Sequence, residues 1–215
     1  MIFYHCDQGP IKDGQRWDRT TLINHCIRKC GYNSYLEIGY GHGRNWNKIQ
    51  IENKTCVDPF RGPSEVIKQT SDQFFEKNKQ TFDIIFIDGD HSAEQVYKDI
   101  INGLACLNHD GTILTHDNSP PAAIHETGST CGTSWRTIPF IRKRTDLDIC
   151  TFVGDLGVGI IKKRENQNLL TVGLDDEISR FLSMKNPNFD LISYDMLEKR
   201  RVELLNLLSL DEILE

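Results

Sequence analysis

Apolar residues recur along this chain with two alternating periods, one of helices and one of strands. Leu22, Ile23, Cys26, Ile27 and Cys30 fall on one helical face, and Gly31 marks the stop. "SYLEIG" reads as a short apolar strand running into the turn "GYGHGR". "KTCVDPF" is a second strand, ending at Asp58 before a proline. "SDQFFEKNKQ" is a short helical piece, and "FDIIFID" is a third strand. That strand is continuously apolar, as one covered on both faces should be. Directly after it, Ser92 and Gln95 have the spacing of a capping box. Ala93, Val96, Tyr97, Ile100, Ile101, Leu104 and Leu107 then make one apolar stripe of a helix. "NHDG" turns the chain into "TILTHDN", a strand with a polar end.

Strands that alternate with helices imply βαβ units and a mostly parallel sheet. Right-handed crossovers put the strand ends on one edge, where ligands bind in such sheets. Glu37, Asp58, Asp88 and Asp117 all belong to that edge. A long polar stretch follows, "SPPAAIHETGSTCGTSW", of the length and composition of a lid or a disordered segment. "WRTIPFIRKRTD" reads as a helix with a proline near its start. "LDICTFV" and "LGVGIIKK" are two strands around a turn too short for a crossover helix, so they are antiparallel. The expected fold class is therefore α/β, a Rossmann-like, mostly parallel sheet with a terminal antiparallel hairpin and flanking helices. Residues 1–164 form this domain. Residues 165–215 form a helical C-terminal extension with a stripe of Met196, Leu197, Leu204, Leu205 and Leu208, which packs on the core or on another copy in a homo-oligomer.

Composition narrows the function classes. The 215 residues are 38% hydrophobic and 26% charged, enough for one domain with a large core. Nothing resembles an 18-residue apolar run, so no membrane span is expected. The start, "MIFYHCDQGP", lacks a basic region followed by a long apolar segment, so no signal peptide is expected and the location is cytoplasmic. A net charge of −6 without a Lys/Arg block argues against nucleic acid as a partner. The seven cysteines include no C-x-x-C pair, and their apolar settings suit reduced core thiols better than a zinc knuckle or a disulfide framework.

The chemistry concentrates at two strand tips. Gly39, Gly41 and Gly43 let the backbone bend after a buried strand and approach a ligand closely. The dinucleotide fingerprint would need glycine at position 44, where Arg44 stands. The third strand ends in Asp88, Gly89, Asp90 and His91. Carboxylates crowded at one tip repel unless a cation, a proton or a substrate is shared there. The plain structural reading is a turn plus a helix N-terminus, where the dipole favours acids. By strand alternation His116 faces away from Asp117 and serves as a structural histidine. Trp135 and Arg136 line an acceptor pocket, or Trp135 belongs to the core, as do Phe74 and Phe75.

With Glu37, the turn reads E-x-G-x-G-x-G, which resembles motif I of the class I S-adenosylmethionine-dependent methyltransferases. Followed by Asp58, "TSDQFF", "IDGDH" and the final hairpin, it resembles the methyltransferase-24-like subgroup of small-molecule and sugar methyltransferases from Trp17 to Lys163. The resemblance implies a seven-stranded sheet and S-adenosylmethionine as cofactor. It also implies a cofactor set of Glu37, Gly39, Gly41, Gly43, Asp58, Ser71, Asp72 and Asp88. Asp58 would bind the ribose hydroxyls, and Ser71 and Asp72 would meet the adenine. In the metal-dependent O-methyltransferases of this kind the matching residues, Asp88, Asp117 and Asn118, hold one Mg²⁺ and His91 is the general base, with Asp90 its rival. A metal-free mechanism with His91 or His116 as base is the alternative. A small-molecule or sugar-like acceptor follows. A nicotinamide-dependent oxidoreductase is disfavoured by Arg44 and by the hairpin, and a cofactor-binding protein without turnover is the non-enzymatic rival.

Overall fold

The structure is a computed structural model that describes residues 9–171 and 175–215. Cys6 and the segment on which the leader expectation rests fall on residues 1–8, outside the described residues. Two short strands, β1 (Ile11–Lys12) and β2 (Gln15–Arg16), pair as a hairpin. Asp18 opens α1 (Arg19–Cys30) by accepting the Thr21 N–H, and Gly31 ends it in left-handed backbone. Next come β3 (Tyr35–Ile38), β4 (Lys54–Val57), α2 (Ser71–Lys77), β5 (Phe82–Ile87), α3 (Ala93–Cys106) and β6 (Leu107–Thr115). The second half adds α4 (Thr137–Ile141), β7 (Asp148–Phe152), β8 (Val158–Lys162), α5 (Asp176–Ser183), α6 (Tyr194–Leu205), β9 (Leu207–Leu208) and α7 (Leu210–Leu214).

Seven strands form one sheet in the order β4-β3-β5-β6-β8-β7-β9. The β4-β3-β5-β6 block is parallel, and β8 is antiparallel to both its neighbours. The expected hairpin of β7 and β8 therefore forms, but it does not close the sheet. β9 pairs parallel with β7 beyond it. The short strands are buried on both faces: Leu36, Ile38, Ile85 and Ile87 pack with α3 and α4, while Tyr35, Ile84 and Phe86 pack with α1.

Two local expectations change. The capping box at Ser92 and Gln95 does not form. Asp90 accepts the Ser92 N–H and Thr133 Oγ1 accepts the Ala93 N–H. The Gln95 amide Nε2 instead faces Ser71 Oγ and Asp72 Oδ1 of α2 and Asp99 Oδ1 one turn further along α3. A full box instead opens α2, between Thr70 and Gln73. Leu208 is not on the C-terminal helical stripe. Asn206, at φ 48°, ends α6 and sends Leu208 into β9. Leu197, Leu204 and Leu205 are fully buried against this chain's own core.

The six described cysteines are free. Burial pushes the thiols of Cys26 and Cys106 up to about 11, so they behave as small hydrophobes. No helix among the described residues is long and apolar enough to cross a membrane.

Arg142 ties the extension to the sheet. It is buried, and its guanidinium donates to the carbonyls of Glu203, Leu204 and Asn168. Burial, the largest influence, pulls its pKa down to about 10. It thus caps the last turn of α6 with a positive charge, where the helix dipole favours one. Arg142→Met should lower stability to urea by about 2 kcal/mol or more, because the carbonyls of Glu203, Leu204 and Asn168 lose their donor, that of Leu204 in a buried setting. An unchanged urea midpoint would show that these carbonyls find other partners.

Candidate active site

The site is built where the parallel strands stop. Gly39 follows β3 at φ 97°, and a Cβ there would lie 2.1 Å from the Asp88 carbonyl oxygen. Only glycine lets the tips of β3 and β5 come this close. The Gly39 N–H donates to Val57 O, and the Asp88 N–H donates to Ile38 O. Gly41 and Gly43 continue the turn with positive φ.

Glu37 is buried beneath the turn. Its Oε2 accepts the Tyr35 hydroxyl at 2.5 Å and the Asn45 amide at 3.1 Å. Burial dominates these hydrogen bonds and raises its pKa to about 7. Asp58 sits at the tip of β4. Its Oδ1 accepts the N–H groups of Phe60 (2.8 Å) and Arg61 (2.7 Å), and its Oδ2 accepts that of Tyr40 (2.9 Å). Burial opposes the charge, but these backbone donors hold the carboxyl below its ordinary value. The Gly41 N–H also acts on this carboxyl and lowers its pKa further. Ser71 and Asp72 start α2 and are tied to α3 by Gln95.

The acid cluster lies at the tips of β5 and β6. Ligand atoms of Asp88, His116 and Asp117 all lie within 4.8 Å of one another. His116 Nδ1 is 3.4 Å from Asp88 and 3.2 Å from Asp117, and its Nε2 is 3.5 Å from Asp155. The expectation that His116 faces away is therefore corrected. β6 ends at Thr115, and Asp117 takes a left-handed conformation (φ 62°), so strand alternation no longer holds.

His91 completes the cluster. Its Nδ1 bonds the Thr130 carbonyl, which can only accept, so Nδ1 carries the proton. Nε2 then faces Asp88 at 3.5 Å and Asp117 at 3.6 Å. The Asp88 hydrogen bond, against burial, holds the His91 pKa above its ordinary value. Burial works against the charge of Asp88 too, but His116, His91 and Arg19 keep its carboxyl well below the usual range.

Asp90 stands outside this cluster, exposed in the turn that opens α3. Asn118 is fully buried, and its Nδ2 donates to Thr115 O and Oγ1. Its Oδ1 has no hydrogen-bond partner. Trp135 belongs to the core, with its indole N–H on Glu126, and Arg136 holds the same carboxylate. Phe74 is buried and packs edge-on against Phe75. A cavity of about 410 Å³ lies beside His91, lined by Gly89, Asp90, His91, Glu126, Gly132 and Thr133.

Sequence reasoning missed Arg19 and Asp155. Asp155, in the β7–β8 turn, accepts the Arg19 N–H at 2.8 Å and pairs with the guanidinium at 3.3 Å. Arg19 also reaches within 4.0 Å of Asp88. Burial opposes its charge, yet Asp88, Asp155 and Asp117 hold its pKa above the ordinary value. The legible signal was a cation in the first turn of α1, where the helix dipole disfavours one.

Residues 18–118 match the family model described as a methyltransferase domain. No curated protein sequence matches the chain. Solved structures of similar fold include three methyltransferases or methyltransferase-like proteins. One is an O-methyltransferase from Bacillus cereus in complex with S-adenosylhomocysteine: 13% identity, 72% of this chain and 83% of that one, TM-score 0.51. Another is an S-adenosylhomocysteine-bound methyltransferase from Podospora anserina: 14% identity, 68% and 78% coverage, TM-score 0.55. A third, from Staphylococcus aureus, is described as a caffeoyl-CoA O-methyltransferase: 18% identity, 72% and 86% coverage, TM-score 0.51. The sheet, the glycine turn and these likenesses define a class I methyltransferase fold. The match over residues 18–118 is to the model of the methyltransferase-24 family, the subgroup that the motifs of this chain resemble.

Glu37 gives a test of the buried turn. The native carboxyl holds its proton up to about pH 7, whereas the unfolded one releases it near 4.5. The native state thus binds more protons between these values, so this stabilisation is complete below 4.5 and is lost as pH rises through 7. Urea titrations at pH 5 and pH 8 should show Glu37→Gln gaining on the wild type toward pH 8, by up to roughly 3 kcal/mol. A difference that does not move with pH would mean that Glu37 is already ionised at pH 5.

Proposed function

We propose that the protein transfers a methyl group from S-adenosylmethionine to a hydroxyl of a small, polar or sugar-like acceptor. The observation that carries this reading is His91, whose Nε2 is turned toward Asp88 and Asp117 beside a cavity that opens at the strand tips. The cofactor lies across the Gly39–Gly43 turn. Asp58 would accept from the ribose hydroxyls, and Ser71 and Asp72 would meet the adenine. Gly39 allows the close approach that the methionine end needs.

The transfer is an in-line displacement. The acceptor oxygen attacks the methyl carbon, the carbon–sulfur bond breaks, and the thioether leaves with the electron pair. The hydroxyl proton passes to His91 Nε2. The sulfonium needs little activation, so positioning and deprotonation supply most of the rate.

The donor set fits a hard divalent cation. Asp88 and Asp117 offer carboxylates on adjacent tips, and Asn118 offers a buried amide oxygen without a partner. Asp88, Asp117 and Asn118 would hold Mg²⁺. Bound there, it would polarise the acceptor hydroxyl and offset the carboxylates that otherwise keep His91 protonated.

A metal-free site is the second reading, and His116 favours it. Burial opposes its charge, but Asp117 and Asp88 hold its pKa well above the ordinary value. Charged His116 and Arg19 then offset most of the charge of Asp88, Asp117 and Asp155, and His91 acts as base from its neutral form. A charged ring would require Arg19 to move, because Arg19 Nη1, a donor, lies 2.5 Å from His116 Nε2.

Calorimetry should show saturable S-adenosylhomocysteine binding, weakened about tenfold or more in Asp58→Ala by the lost charge-assisted hydrogen bond, and no comparable NAD binding. No binding of the thioether to the wild type sinks the reading. In an acceptor screen, His91→Gln should lower kcat about 100-fold or more while keeping cofactor affinity. Loss of turnover with chelator, restored by magnesium, supports the cation site, and turnover that survives chelator selects the metal-free mechanism.

A further inference from the structure

We infer that the C-terminal extension positions the acceptor side of the site, with Arg201 as the positioning residue for loop 119–133. The inference rests on the proposed function only in naming that side as the acceptor's. Arg201 lies in α6 and is 6% exposed. Its Nη1 donates to Ser119 Oγ at 3.0 Å and to the Pro120 carbonyl at 2.8 Å. Its Nη2 donates to the Tyr194 hydroxyl at 3.0 Å, and that hydroxyl donates to Pro120 O at 3.4 Å.

Ser119 and Pro120 directly follow Asp117 and Asn118. A guanidinium taken out of water is costly unless its donors are met, and an apolar side chain of similar volume often serves stability as well or better. Here the donors are spent on neutral oxygens at one point of the backbone. What such an arrangement secures is the course of the chain just after the acid pair. The other side of this segment is held too. The Asn118 and Ser119 N–H groups donate to Gly157 O (3.0 Å) and Leu156 O (2.7 Å) of the β7–β8 turn. The segment is therefore clamped between that turn and α6.

The far end of the loop is tied to the same extension. Glu126 accepts from Trp135 Nε1 and from Arg136, and Arg136 Nη1 donates to Phe189 O at 3.1 Å. Between the two anchors the loop meets the His91 turn. Thr130 O holds His91 Nδ1, and the Thr133 N–H donates to His91 O at 2.8 Å. The loop supplies Glu126, Gly132 and Thr133 to the cavity wall. The anchors at Ser119, Pro120 and Phe189 all lie beyond residue 118, where the family match ends. None of the contacts traced here involves Gly39, Asp58 or Ser71. The extension thus shapes acceptor recognition and His91 placement, and leaves the cofactor cradle alone.

Hydrogen exchange on the full chain decides this. In Arg201→Met, amides of residues 122–133 should exchange about tenfold faster or more, while those of α1, β3 and β5 keep wild-type rates. Arg201→Lys keeps the charge and can reach one of the two oxygens, so it should restore part of the protection. Tyr194→Phe removes one hydroxyl and should give a smaller increase in the same segment, and it decides alone if Arg201→Met does not fold. S-adenosylhomocysteine affinity should stay within about twofold in all three, since the contacts lie away from the cradle. Unchanged exchange at 122–133 in the variants that fold overturns the inference, as does an increase spread evenly over the sheet. A wild type that fails to bind S-adenosylhomocysteine defeats the proposed function instead, and the exchange comparison still reads the positioning role.

Discussion

Asp88, Asp117 and Asp155 gather around one imidazole at the end of a parallel sheet, and their mutual repulsion has to be offset before anything else at this edge can form. The parallel register brings Ile38, Ile87 and Thr115 to the same level, so the residues that follow them meet. Hydrophobic burial fixes that register, since a slip by one residue would turn Ile85 and Ile87 from the α3 side toward α1. The core therefore concentrates charge at its own rim. The compensation comes from elements remote in sequence. Arg19 enters from the start of α1 and pairs with Asp155 of the β7–β8 turn, while His91 comes from the turn just after Asp88. Each makes local sense only in view of the others. Arg19 opposes its own helix dipole, and Asp155 and Asp117 both adopt left-handed backbone, an uncommon conformation outside glycine that Asp tolerates better than most residues.

This explains how much of the molecule was legible in its sequence. The parallel strands, α1 with its Gly31 stop and the stripe of α3 were readable because each is set by a local period that burial then enforces. The acid edge was readable for the same reason, since strand ends follow from strands. The fate of His116 was not. Alternation predicts its side chain only while the strand lasts, and the chain leaves the strand at Thr115. The capping box failed for a related reason. Ser92 and Gln95 have the right spacing, but Gln95 is recruited by Ser71, Asp72 and Asp99. A four-residue pattern carries no information about a helix more than twenty residues away. Arg19 could have been noticed as a violation of local preference, because such violations gather where tertiary demands prevail.

The C-terminal extension shows the same logic at a larger scale. Its leucine stripe needs a covering surface, either the core or another copy. Leu197, Leu204 and Leu205 find one in the chain's own core, and β9 extends the sheet past the hairpin. Two buried arginines do the joining, and they act in opposite directions. Arg142 reaches from α4's end to carbonyls near the end of α6, and Arg201 reaches from α6 to the residues after the acid pair. An apolar contact would hold α6 to the sheet over a broad surface without fixing its register along the helix axis. Hydrogen bonds from a planar, rigid donor set do fix it, since each N–H must find its oxygen. A rigid sheet can hold a cofactor by its strand tips alone. A cavity wall made of loop has no such ladder behind it, and in this chain its two ends are fastened to the helical segment beyond the sheet's main strands.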